Sequence, residues 1–128
     1  MEGVIKRPAA NVIDLKSLEA RCLGRLELVE RVLGKFAAQL DADLAVMEEA
    51  LRGQDADAVR AVAHRLKGMS ANVEAWPLHE CAKEAEELAL GNCLEDVAER
   101  LEQLREMRAK LSDTLRNQVS SRSINHRP

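Results

Sequence analysis

Apolar residues recur in steps of three and four along almost the whole chain, a spacing that suits packed helices and little else. The longest series is Val29, Val32, Leu33, Phe36, Leu40, Leu44, Met47 and Leu51. It predicts a helix from about Leu26 to Arg52. Gly34 inside it weakens the helix by about 1 kcal/mol relative to alanine. Gly53 is the expected C-terminal stop.

The same period continues on both sides. Residues 14–22 suit a short helix with Leu15, Leu18 and Cys22 turned inward. Asp55 can cap a third helix running to about Val73, with Asp57 in its first turn, where the helix dipole favours an acid. Its expected buried stripe is Val59, Val62, Leu66, Met69 and Val73. Trp76-Pro77 marks a break, because a residue before proline is pushed away from helical geometry and proline suits a first helical position. A fourth segment, Pro77 to Leu90, offers Leu78, Cys81, Ala82, Ala85 and Leu88 to a core, and Gly91-Asn92 ends it. The last helix is expected from Leu94 to about Asn117, with Leu94, Val97, Leu101, Leu104, Met107 or Arg108, Leu111 and Leu115 on one side.

Four amphipathic helices joined by short loops predict an all-α fold, an antiparallel four-helix bundle over residues 12–117. The short N-terminal helix is expected to cap one end. Residues 1–11 are expected to be a flexible N-terminus and residues 118–128 a disordered polar tail.

Composition supports this. Aromatic residues make up 2% of the chain, Phe36 and Trp76, so the core must come from Leu, Val, Ala and Met. A β-sandwich is expected to carry more aromatic and β-branched residues. The net charge is −3 with both signs interspersed and no basic stripe, which argues against nucleic-acid binding. No run of about 18 apolar residues suggests a membrane span. Met1 to Asn11 lacks the apolar stretch of a secretion signal. Cys22, Cys81 and Cys93 lack metal-type spacing and are expected to be reduced thiols of a cytoplasmic protein.

The chemically informative stretch is Ala63-His64-Arg65-Leu66-Lys67-Gly68-Met69-Ser70-Ala71-Asn72-Val73. At about 100° per residue, Val62 and Leu66 each point roughly 200° away from His64. If they face the core, His64 faces water. One turn from it lie Arg60, Ala61, Lys67 and Gly68, with Ala71 a turn further on. Small residues leave room for a visiting surface. A glycine inside a helix costs about 1 kcal/mol, and close approach of another molecule is one reason to keep it. Lys67 can balance an anion on the imidazole, and an exposed neutral imidazole is a competent nucleophile. Phosphoryl transfer needs those ingredients, because its catalysis is mostly positioning and charge stabilisation. The protein is expected to offer no second carboxylate beside the histidine for Mg²⁺, and the chain has no Gly-rich nucleotide loop. Gln39 and Arg60 are candidates to flank a docking surface. Ser70 is expected to pack or to bond back to its own helix, and His79 to be an ordinary surface residue.

The run His64-x-Leu66-Lys67-Gly68-x-Ser70-Ala71-Asn72-Val73 resembles the signature of histidine phosphotransfer (HPt) domains, and the likeness extends over about residues 12–117. Gly53-Gln54-Asp55 resembles the family's approach to its histidine, and Leu78 to Glu86 its following helix. The resemblance implies that His64 is phosphorylated on Nε2, that Lys67 lies beside the phosphoryl group and that Gly68 lets a partner dock. It implies response-regulator receiver domains as partners, including that of a hybrid sensor histidine kinase. Mg²⁺ would sit on the receiver, with no cofactor on this chain, which acts as a phosphocarrier rather than an enzyme. A monomer is expected. Met69 and Glu74 depart from the family pattern, which often has a small residue and a glycine there. A histidine-kinase dimerisation bundle is the main competing reading, but it expects an acidic residue directly after the histidine, and Arg65 follows. An inert scaffolding bundle is the other.

Overall fold

The structure, a computed structural model, describes residues 12–125, with side chains from 12 to 117. It contains α1 (Leu15–Arg21), α2 (Leu26–Arg52), α3 (Ala56–Asn72), α4 (Trp76–Leu90) and α5 (Leu94–Asn125), with no strand among the described residues. The expected flexible segment 1–11 lies outside them.

Each helix starts and stops for a local reason. Asp14 accepts from the Ser17 amide at 3.1 Å and Asp55 from the Ala58 amide at 3.1 Å, so both cap as their side chains allow. Four helix ends share one device. The residue after the C-cap is left-handed at Leu23, Gln54, Glu74 and Asn92, with φ of 58°, 55°, 63° and 63°. The next amide reaches back five residues, as in Ala75 N–H to the Ser70 carbonyl at 2.8 Å. The glycines expected to stop α2 and α4 therefore sit one place early. Gly53 and Gly91 are ordinary right-handed C-caps, and the strained residue is the one after each. The break before α4 also falls earlier than expected: Trp76 is the first residue of the helix, and the turn is made at Glu74 and Ala75.

Glu74 holds its unfavourable φ because its side chain is tied on two sides. Arg21 donates to its Oε2 at 2.9 Å and Trp76 Nε1 to its Oε1 at 3.0 Å. Its carbonyl also accepts from the Asp14 amide at 2.9 Å. These bonds fasten α1 across the α3–α4 turn, and with buried Val12, Ile13 and Leu18 they close that end of the bundle.

The other four helices form a ring in which α2 packs on α3, α3 on α4, α4 on α5 and α5 on α2. Cross-links run in opposite senses along neighbours, as an antiparallel bundle requires. Arg105 meets Glu48 at 2.7 Å while Arg108, one turn on, meets Asp41 at 2.7 Å, about two turns back. Inside lie Leu33, Leu40, Met47, Val59, Val62, Leu66, Leu78, Val97, Leu104 and Leu111, all sealed. Burial of this kind contributes about 25 cal/mol per Å² of apolar surface and dominates the stability. Met69 and Leu88 only border this core, and Ser70 lies fully inside it, so of its two expected roles it packs rather than bonding back to its helix.

α5 continues to Asn125, so residues 118–125 are helical rather than irregular. The stretch contains no Gly or Pro before Pro128, and an established helix extends at little cost once nucleated. All three cysteines are free. Burial, with Glu84 nearby, pushes the Cys81 thiol up to about 11, so it stays protonated and unreactive. Gly34 lies exposed on α2, and a Cβ there would meet nothing within 4 Å. Gly34→Ala is therefore expected to stabilise the bundle by about 0.5–1 kcal/mol in denaturant unfolding. A loss of stability would show that this open site is in fact crowded.

Candidate functional site

His64 and Arg65 leave α3 in opposite directions, and two neighbouring helices hold them there. Arg65 turns to α2, where its Nη2 and Nε reach Asp43 Oδ1 at 2.8 and 3.2 Å. Asp43 is only 1% exposed and also receives Gln39 Nε2 at 3.1 Å. With Val62 and Leu66 sealed in the core, this pair resists rotation of α3 about its axis. His64 is thereby directed outward, with 69% of its side chain exposed.

The imidazole is anchored at one nitrogen only. Its Nδ1 lies 2.9 Å from Glu86 Oε2 on α4. The other oxygen of the same carboxylate, Oε1, lies 2.7 Å from Lys67 Nζ. A carboxylate can only accept, so the ring proton belongs on Nδ1 and the lone pair on Nε2. Nothing among the described residues engages Nε2. The Lys67 ammonium, and then the His64 contact, hold the Glu86 carboxyl below the usual carboxylate range, against the opposing effect of burial. The Glu86 charge therefore survives mild acid, and the bridge is lost only as pH falls through that lowered value.

Residues 64, 67 and 68 come together as their spacing predicts. Gly68 is exposed one turn beyond His64, and a Cβ there would meet nothing within 4 Å, which removes helix–helix close packing as its reason. Arg60 and Ala61 are exposed one turn before. Gln39 is tied to Asp43, on the α2 side.

Three residues go beyond what spacing along one helix could reveal. The expectation that no second carboxylate stands beside the histidine is corrected by Glu86, which comes from α4, 22 residues away in sequence. Asp43 is equally remote. His79 is not an ordinary surface residue: it is half-buried, its Nδ1 donates to the Lys67 carbonyl at 3.0 Å, and its ring meets Trp76 edge-on at 5.4 Å. The only signal available for Glu86 was its position one to two turns beyond Leu78 and Cys81, on the border of the buried stripe of α4.

The Hpt domain family model matches residues 31–114, which include every residue of this site. The chain belongs to the Hpt domain family. Histidine-containing phosphotransfer protein B (HptB) from Pseudomonas aeruginosa PAO1 has a similar crystal structure, with a TM-score of 0.77 and 27% identity. The match covers 85% of this chain and 95% of that one. Among curated proteins none matches significantly. Members of the Hpt family are phosphocarriers rather than enzymes, and the two departures from the family pattern fall where the bundle absorbs them. Met69 borders the core roughly 140° around the helix from His64. Glu74 makes the α3–α4 turn by side-chain bonds where a glycine would make it by freedom of φ.

No group of three or more His, Cys, Asp and Glu side chains among the described residues is placed to hold a metal ion. No described helix is long and apolar enough to cross a membrane.

Proposed function

We propose that this Hpt domain relays phosphoryl groups in a two-component phosphorelay, with His64 as the residue that carries them. The reading rests chiefly on one arrangement: an exposed imidazole whose Nδ1 is held by Glu86 and whose Nε2 is engaged by nothing among the described residues. The donor is the aspartyl phosphate of a response-regulator receiver domain, such as that of a hybrid sensor histidine kinase, and the acceptor is another receiver. The Nε2 lone pair attacks phosphorus in line, the N–P bond forms, and the P–O bond breaks to release the receiver's carboxylate. Lys67 supplies positive charge near the phosphoryl oxygens and Gly68 leaves room for the receiver. Mg²⁺ acts from the receiver's own carboxylates, so this chain needs no cofactor. The protein works as a cytoplasmic monomer.

A panel of purified receiver domains, charged with acetyl phosphate and Mg²⁺, tests this directly. Transfer of an acid-labile phosphoryl group to this chain is the expected result. No transfer from any receiver would leave an inert bundle. Labelling of His64 by ATP alone would instead favour a kinase.

A further inference from the structure

The residue after His64 makes an energetically poor contact. Asp43 on α2 is 1% exposed, and its three donors, Arg65 Nη2 at 2.8 Å, Arg65 Nε at 3.2 Å and Gln39 Nε2 at 3.1 Å, crowd onto Oδ1. Oδ2 is buried with no hydrogen-bond partner among the described residues. Arg65 therefore grips one oxygen rather than spanning both, the weaker of its two ways to bind a carboxylate. A carboxylate taken out of water and left half-satisfied is a poor source of stability. Well-packed apolar side chains in place of such a pair usually hold a fold as well or better. Stability does not explain the pair; its position beside His64 does. We propose that Asp43 is a positioning residue for phosphoryl transfer: through Arg65 it fixes the rotation of α3, and so the line along which His64 Nε2 meets phosphorus. This deepens the phosphocarrier reading above and rests on it.

The seam between α2 and α3 needs such a tie. Leu40, Leu44 and Met47 on α2 and Val59, Val62 and Leu66 on α3 are all sealed, and apolar contact is non-directional. It keeps two helices together without fixing how far one rolls against the other. Among the described residues, the Asp43–Arg65 bonds are the only side-chain hydrogen bonds between α2 and α3. On the opposite side, His79 Nδ1 donates to the Lys67 carbonyl and ties α3 to α4. The two ties together oppose a roll in either direction. A group about 6 Å from a helix axis moves by about 1 Å when the helix turns by about 10°. A misplacement of that size costs on the order of 100-fold in a reaction that depends on alignment. A roll that barely disturbs the core is therefore felt strongly at Nε2.

Three variants separate aim from strength. Asp43→Leu with Arg65→Met fills the seam without charge. Its melting temperature is expected to hold or rise, while transfer at saturating receiver slows by about tenfold with KM little changed. Asp43→Leu alone is expected to slow transfer alike, because Arg65, whose side chain is 49% exposed, can turn its freed guanidinium to water. Asp43→Asn keeps Oδ1 as an acceptor for Arg65 and is expected to keep most of the rate.

The experiment charges one receiver of the panel, titrates it against wild type and the three variants, and separates the maximal rate from KM, with circular dichroism melts alongside. A slow but stable double variant beside a competent D43N supports the proposal. A double variant that melts early shows that the pair braces the fold, and overturns it. So does one that transfers at the wild-type rate, or one that raises KM alone, which would make Arg65 a receiver contact. These three results leave the carrier reading intact. Failure of the wild-type chain to load on His64 removes that reading, and this inference with it.

Discussion

His64→Gln is expected to abolish phosphoryl acceptance from every receiver while leaving helicity and melting temperature nearly unchanged. The two halves of that outcome have separate causes. A glutamine amide nitrogen has its lone pair delocalised into the carbonyl, so the variant has no nucleophile to offer phosphorus. The fold, by contrast, does not lean on the ring. His64 is 69% exposed, and its one described bond is to Glu86, which keeps its contact with Lys67 when the ring is gone. Exposed ion pairs of this kind contribute about 0–1 kcal/mol, too little to threaten a bundle with so many sealed aliphatic side chains. Transfer of labelled phosphate followed by an acid-lability assay measures the first half, and circular dichroism the second. Acid-labile phosphate persisting on the variant would move the acceptor away from His64.

Gly68→Leu is expected to separate docking from folding. A Cβ at position 68 meets nothing within 4 Å, so a larger side chain enters open space and not a neighbouring helix. Replacing a helical glycine by a good helix former stabilises by up to about 1 kcal/mol, so the melting temperature should hold or rise. The added side chain nevertheless stands one turn from His64 on the exposed face, where a receiver must come close enough for in-line attack. A displacement of about 1 Å in such a reaction costs on the order of 100-fold in rate. Transfer from a charged receiver should fall by about that factor, and Gly68→Ala should lie between. A variant that melts early and transfers normally would mean that the glycine serves the bundle rather than the partner.

Local pattern went a long way here. The helix bounds of α2 were legible to the residue, because a long apolar series leaves little choice of phase and Gly53-Gln54-Asp55 sets the turn. The outward direction of His64 was legible too, since Val62 and Leu66 fix the phase of α3. The turns were less so. Glycine attracts the left-handed position on statistical grounds, yet at two helix ends it took the C-cap and left Gln54 and Asn92 to adopt positive φ. The chain-reversing hydrogen bonds, not the residue's own preference, decide which position must turn. The end of α5 was misplaced for a related reason: polar residues without an apolar stripe say nothing against a helix already under way.

The order of residues by itself determined a bundle and, along α3, an exposed histidine with a lysine and a glycine within one turn of it. Helical periodicity acts over a few residues, and those relations lie within its reach. Only the tertiary structure decided which nitrogen of that histidine is free and how much of the lysine's charge is available. Both depend on Glu86, and the buried Asp43 that steadies Arg65 lies equally far along the chain. Contacts between helices are set by the packing register of whole faces, which no local spacing encodes.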